Sequence, residues 1–309
     1  MSVARPQSAA PPSGLINVYK PQGISSRRVV DHVQRLVRPA KAGHAGTLDP
    51  LASGVLVVCV GQATRLIEYV QQQTKQYRGT FLLGRRSDTE DIEGQVEELP
   101  SPPEPSVEQL EAALANFVGE IQQRPPALSA LKVEGKRAYD LARQGRQVEL
   151  KPRPVTVYSL KLLAYAYPLF QLDIACSAGT YVRSLGRDLA ESLGTAAVMS
   201  ALERTAVGRF TVEKAVPMDA LTPETWRSHL QPAATAVADL PTVSLGPEEL
   251  KRLAHGHPLD AAIASTLQLK QDQEVAAVYG PQSDQAGELA AVLALRGDQL
   301  KVVRNFAAR

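Results

Sequence analysis

The sequence predicts an α+β protein with a large first domain and a small β-rich domain behind it, and three observations carry this. Short aliphatic and β-branched runs bounded by Gly and Pro recur from Leu15 to Thr205, with segments of helical apolar spacing between them. Beyond about Asp239 the pattern changes to one short helix and brief apolar runs separated by turns. With 309 residues, 44% hydrophobic and 21% charged, the chain can bury one large core and a smaller one.

Residues 1–14 form a Pro/Ser/Ala tail expected to be flexible. Leu15 to Tyr19 reads as a strand and Lys20-Pro21-Gln22-Gly23 as a turn. Ser25 or Ser26 can cap a helix whose Val29, Val30, Val33, Leu36 and Val37 share a face, with Pro39 ending it. Val55 to Val60 is a buried strand, Gln62 to Gln72 a helix burying Leu66, Ile67 and Val70, and Tyr77 to Leu83 another strand. Ser87 to Gly94 superficially suggests a calcium loop, but its carboxylates lack the required spacing, so a turn between strands is expected. Pro100 to Pro105 reads as a linker, and Val107 to Phe117 and Lys136 to Gln144 as helices. Val155 to Tyr165 and Leu169 to Cys176 can pair around Pro168. Thr180 is a candidate cap for a helix with Val182, Leu185, Leu189 and Leu193 inward and Arg183 and Arg187 four apart on one face. Val198 to Thr205 closes the first domain as a core strand. In the last part, Pro247 to Ala254 reads as a helix and Val275 to Tyr279 and Leu289 to Leu295 as strands.

No run approaches the roughly 18 apolar residues of a membrane span, and the first residues lack a signal-peptide core, so a cytoplasmic protein is expected. Cys59 and Cys176 lie in apolar runs and are expected to be reduced, buried thiols. Two cysteines and five histidines give no convincing metal cluster, and the His255/His257 pair is explained by chance. Net charge is only +2, yet Asp88 to Glu120 holds ten carboxylates and no Lys or Arg. Ile121 to Pro154 then holds eight basic residues, Arg124, Lys132, Lys136, Arg137, Arg143, Arg146, Lys151 and Arg153, against three acidic ones. Such a segment can neutralise several phosphates; on charge alone a solvated helix face explains it equally well.

The stretch Gly43-His44-Ala45-Gly46-Thr47-Leu48-Asp49-Pro50-Leu51-Ala52-Ser53-Gly54 is a loop, because its glycines free the backbone and Asp-Pro stops a helix. Asp49, held there beside a buried strand, is a plausible catalytic carboxylate; an isolated Asp-Pro would be an ordinary turn.

This stretch resembles the signature of the bacterial tRNA pseudouridine synthase B family. Further segments match in order: Lys20-Pro21 with Gly23 and Ser25, Gly61 to Arg65, Lys75-Gln76-Tyr77, and Asp88-Thr89 with Asp91 and Gly94. Ser129 to Lys132, Gly179 to Arg183, and Leu202 with Arg204, Gly208 and Phe210 complete the match, which covers roughly Leu15 to Phe210. Leu128, Arg65 and Glu203 depart from the common family residues without touching the proposed chemistry.

The resemblance implies a pseudouridine synthase fold with a central mixed, mainly antiparallel sheet flanked by helices and loops. Residues 15–239 would be the catalytic domain, with an RNA-binding insertion at about 121–154, and 240–309 a PUA-like RNA-binding domain. It implies isomerisation of uridine to pseudouridine at position 55 of the tRNA T stem-loop, by a monomer without an obligate protein partner, membrane or metal. The uracil leaves through N1, turns and rejoins through C5, with no redox change, so no cofactor is expected, and neither a Walker loop nor a dinucleotide fingerprint is present. Asp49 would be the nucleophile, Arg183 its orienting partner, and Tyr77 a group packing on the base and a candidate for taking the ribose C2′ proton. The target would be flipped out, with His44 filling the vacated stack and Leu202 lining the uracil pocket. Lys20, Arg65, Lys132 and Asp91 would also meet substrate, and Lys136, Arg137 and Arg143 the RNA backbone. The alternatives are a guide-RNA-dependent synthase acting on ribosomal RNA, which shares the aspartate loop, and an RNA-folding factor with incidental catalysis.

Overall fold

The computed structural model describes residues 12–126, 132–133, 136–137, 150–280 and 287–307. The chain enters through β1 (Gly14–Lys20) and α1 (Ser26–Val37). Ser25 caps α1 by accepting from the Arg28 amide, and Val29, Val30, Val33 and Val37 are buried as their spacing predicts. β2 (Ala42–His44) and β3 (Ala52–Val60) flank the Asp49 loop. Where one helix was expected, a 3-10 turn over Gly61–Leu66 precedes α2 (Ile67–Gln72), because Leu66 leaves helical geometry at φ −102° and ψ 4°. Ile67 is consequently only half-buried.

β4 (Lys75–Leu83), β5 (Arg85–Ser87) and β6 (Val96–Glu98) follow, and the acidic segment turns between the last two. α3 (Val107–Leu114) starts on a Ser106/Gln109 capping box and finishes in a 3-10 turn at Ala115–Phe117. After β7 (Gly119–Gln123), the basic segment contributes two short paired strands, β8 (Lys132–Val133) and β9 (Lys136–Arg137). The helix expected from Lys136 is therefore strand at its first two residues, which pair with Lys132 and Val133. Its remainder, Arg143 included, lies outside the described residues. β10 (Arg153–Ala166) and β11 (Leu169–Cys176) pair around Pro168 as expected, and α4 (Val182–Ser192) leads to β12 (Ala197–Val207), β13 (Phe210–Thr211) and β14 (Val216–Pro217). Tyr181, not Thr180, stands at the start of α4; the Thr180 hydroxyl instead donates back to Ser177 O, 3.1 Å away.

These strands form a ten-stranded sheet in the order β14-β1-β3-β12-β4-β11-β10-β7, with β2 beside β3 and β13 beside β12. Only the β1–β14 and β3–β12 pairs are parallel, so the sheet is mixed and mainly antiparallel. α1 packs Val29, Val33 and Val37 with Ile16, Val18, Leu56, Val58 and Trp226. α3 and α4 cover another cluster, in which Phe81 and Phe170 stack at 5.0 Å among Leu110, Leu172, Leu185 and Leu189. Cys59 and Cys176 are free and buried, as expected.

The last part adds β15 (Thr242–Ser244), α5 (Pro247–Ala254), β16 (Leu259–Asp260), β17 (Glu274–Tyr279), β18 (Glu288–Arg296) and β19 (Gln299–Asn305). Its five strands form their own sheet, ordered β15-β17-β18-β19-β16. Strand alternation buries both faces. Val275 and Leu293 join a local core, whereas Ala276, Val278, Leu289 and Val292 join Val55, Leu66, Val70, Val207 and Phe210 of the first part. No described helix is long and apolar enough to cross a membrane.

α4 lies close on the sheet because residue 186 has no side chain. A Cβ there would stand 2.2 Å from the Phe81 ring, inside the stacked pair. Gly186→Ala should therefore cost about 1–3 kcal/mol through overpacking, read as a lower denaturation midpoint at unchanged m-value.

Candidate active site

The Asp49 loop is held from three sides by groups that face it from other elements. The Ser26 hydroxyl, on α1, accepts from the Leu48 amide at 2.8 Å and donates to Leu48 O at 2.9 Å. The Lys20 ammonium, fully buried at the end of β1, donates to Ile24 O at 2.7 Å, Pro21 O at 3.0 Å and Pro50 O at 3.4 Å. From β12, Arg204 donates to Val55 O at 2.8 Å, Gly46 O at 3.2 Å and Thr47 O at 3.5 Å. The parallel β3–β12 register makes this possible by placing Arg204 opposite Gly54, whose φ is +100° and whose Cβ would lie 2.3 Å from the Arg204 carbonyl oxygen. These bonds satisfy loop carbonyls that would otherwise be buried without partners.

Asp49 projects from this frame with 41% of its side chain exposed, and its carboxylate meets the Arg183 guanidinium at 3.3 Å. Arg183 is only 8% exposed and also binds Asp91 at 3.1 Å and Thr89 O at 2.7 Å. Asp91 is fixed in turn, accepting from the Thr89 hydroxyl at 2.5 Å and the Glu93 amide at 3.0 Å. The acidic turn is pinned to β12, Met199 exchanging backbone bonds of 3.0 Å each with Glu90 and Ile92. One helical turn beyond Arg183, Arg187 pairs with Glu90 and Asp188 and donates to Arg124 O, at the root of the basic segment, at 3.0 Å. α4 thus presents two arginines to one acidic turn, as their spacing of four predicts.

A cleft of about 550 Å³ opens over Asp49, lined by Leu48, Lys75, Tyr77, Arg153, Tyr181, Val182, Arg183, Leu202 and Arg204 among others. Antiparallel pairing sets Tyr77 opposite Arg204 and Leu202 opposite Gly79, so Tyr77, Leu202 and Arg204 share one face of the sheet. Burial pushes the Tyr77 phenol above its ordinary range, against the opposing pull of the Arg204 guanidinium, so it stays neutral near pH 7. Burial brings Lys75 and Lys20 down to about 8, with Asp49 working the other way on Lys20. His44 is also held below its ordinary value, by burial first and then by Arg204.

The structure brings together Asp49, Tyr77, Arg183 and Leu202, and separates others that the sequence placed with them. His44 is half-buried on β2 and does not line the cleft; its Nδ1 is buried without a hydrogen-bond partner. Lys20 is enclosed and committed to carbonyls, so it positions the loop and does not reach a phosphate. Asp91 is likewise buried against Arg183 and closed to substrate contact. Arg65 faces the C-terminal sheet, donating to Asn305 O at 2.7 Å with its guanidinium 5.2 Å from the Phe306 ring centre. Lys132, Lys136 and Arg137 lie on β8 and β9, and Arg143 outside the described residues. Sequence reasoning offered Ser26 only as a helix cap, matched Lys75 and Arg204 to the family without giving them a task, and did not single out Glu90. Arg204 carried a signal, since it shares the inward parity of Leu202 and Ala206 on a core strand.

Known proteins resemble this chain along most of its length. A model described as TruB family pseudouridylate synthase (N terminal domain) matches residues 34–182, and one described as tRNA pseudouridylate synthase B C-terminal domain matches residues 183–240. The chain is 41% identical over 273 residues to tRNA pseudouridine synthase B of Syntrophotalea carbinolica, covering 87% of this chain and 89% of the relative. It is 40% identical over 304 residues to the protein of that name from Caulobacter sp. (strain K31), covering 95% and 96%. Among solved structures, a Cbf5-Nop10-Gar1 complex aligns with a TM-score of 0.71 at 26% identity, covering 96% of this chain and 85% of that one. An H/ACA RNP bound to a substrate RNA containing 2′-deoxyuridine aligns with a TM-score of 0.70 at 25% identity, covering 95% and 84%.

Two outcomes follow from the buried charges. Asp91→Asn takes one carboxylate from a buried guanidinium and should cost about 3 kcal/mol in chemical denaturation. For Lys20, the unfolded chain holds the proton to about pH 10.4 and the folded chain releases it near 8. Between those values the unfolded state binds more protons, so stability rises with pH. Unfolding measured from pH 7.5 to 10 should therefore show the wild type gaining stability relative to Lys20→Met as pH rises, since Lys75, which acts in the same direction, and the buried Cys59 and Cys176 thiols, which act in the opposite one, are common to both proteins.

Proposed function

The chain belongs to the TruB family of pseudouridylate synthases and forms pseudouridine in tRNA, and from that premise we propose that its target is uridine 55 of the T stem-loop. The observation that carries the chemistry is the Asp49 carboxylate, half-open to the cleft and oriented at 3.3 Å by an otherwise enclosed Arg183. In this reading Asp49 attacks the ribose C1′ as the bond to N1 breaks. The freed uracil turns, and C5 then displaces the carboxylate while losing its proton and N1 gains one, so the product is an isomer of the substrate. The flipped base lies against the Tyr77 ring and Leu202. The neutral, buried phenol supports packing as the role of Tyr77 over removal of the C2′ proton.

His44 fills the vacated stack, and Lys132, Lys136, Arg137 and Arg143 meet the RNA backbone. Residues 15–239 form the catalytic domain and 240–309 a PUA-like RNA-binding domain, acting as a cytoplasmic monomer without a protein partner. The guide-dependent reading has support from the H/ACA neighbours, but identity to them is 25–26%, against 40–41% to the curated tRNA synthases, which favours the tRNA reading.

Purified protein and an unmodified T stem-loop, without guide RNA, test this directly. Wild type should convert the uridine, scored by mass mapping. Asp49→Asn should lose conversion by about 10³-fold or more while retaining RNA binding within a few-fold. Conversion only with added guide RNA, or undiminished conversion by Asp49→Asn, would overturn the proposal.

A further inference from the structure

The cleft holds four cations, and three are already committed. Arg183 faces Asp49 and Asp91, Arg204 is spread over two loop carbonyls and one on β3, and Lys75 donates to Gln71 O and Gln73 O. Arg153, at the start of β10, differs. Among the described residues it forms no ion pair, and its one side-chain hydrogen bond runs from a terminal nitrogen to Gly179 O at 2.6 Å. Its Nε is buried without a partner, while its guanidinium lies 5.0 Å from the Tyr181 ring centre. The seat is rigid. The side chain of fully buried Gln123, the register partner of Arg153 on β7, donates to Tyr181 O at 3.0 Å and accepts from the Tyr181 amide at 2.8 Å. Gly179 has φ +84°, and a Cβ there would touch the guanidinium at 3.5 Å.

A half-buried, oriented guanidinium with one terminal nitrogen not otherwise bonded, beside a single nucleophilic carboxylate, is a receptor for a planar or tetrahedral oxyanion. Its seat, Gly179 and Tyr181, belongs to the segment that continues into Arg183, so the distance from this cation to the arginine orienting Asp49 is set within one short stretch of chain. We propose that Arg153 grips the phosphodiester adjoining the target nucleotide and so fixes the ribose against Asp49. The proposal rests on the RNA-modifying reading above.

The test is a double cycle between protein and RNA. T stem-loops carrying a neutral methylphosphonate on the 5′ or the 3′ side of the target uridine are compared with the all-phosphate RNA, using wild type and Arg153→Gln. One of the two neutral linkages should weaken wild-type binding about tenfold and leave Arg153→Gln unaffected. The salt dependence of binding should also fall by the equivalent of about one phosphate in the variant. Equal losses in both proteins, or none in either, would overturn the assignment. Should Arg153→Gln fail to fold, Arg153→Met keeps an apolar stem over Tyr181 and removes the charge. Conversion of the all-phosphate RNA by wild type is the control that separates the two readings. Its absence counts against the function itself, whereas conversion with additive losses counts against Arg153 alone.

Discussion

A buried guanidinium shared by two carboxylates governs this structure. An enclosed guanidinium is costly unless acceptors replace the water it gives up, and Asp49, Asp91 and Thr89 O supply them from two different loops. Each loop must therefore be delivered to α4 with an accuracy of a few tenths of an ångström. Much of the fold around the cleft answers that demand: β12 anchors the acidic turn at Met199, and Lys20, Ser26 and Arg204 hold the Asp49 loop. Gly186 lets the helix lie close against the Phe81 ring.

The same arrangement divides the charges by task. Cations that hold the loop are enclosed and bonded to backbone oxygen, where they contribute order and little external field. The Asp49 carboxylate is left open on one side. A nucleophile fixed on its backbone side and free on its reactive side loses little conformational entropy when substrate arrives. Asp49 and Asp91, both bound to Arg183, differ accordingly: one is exposed over the cleft, whereas both oxygens of the other are hydrogen-bonded within the protein.

Much of this was legible in the sequence, for reasons that follow from periodicity. Val29 to Val37 and Val182 to Leu189 carry the helical spacing, and the aliphatic runs of β3, β4, β10, β11 and β12 mark the sheet. The Arg183–Arg187 face was readable because residues four apart must align. What was not legible depended on contacts between distant segments. Lys20 and Arg65 look alike as isolated cations, and only the fold decides that one faces loop carbonyls and the other the C-terminal sheet. Thr180 has the chemistry of a cap, but its hydroxyl finds Ser177 O first. The division of Gln62 to Gln72 into a 3-10 turn and a short helix likewise reflects packing of Leu66, which local propensity does not encode.

Arg187 gives α4 a mechanical meaning. Its bond to Arg124 O fastens the root of the basic segment to the same helix face that orients Asp49, one turn or about 6 Å away. A helix is stiff over that length, so it acts as a short beam with a clamp at each end. The offset between Arg124 and the Asp49 carboxylate is then set by the beam and not by the width of the sheet.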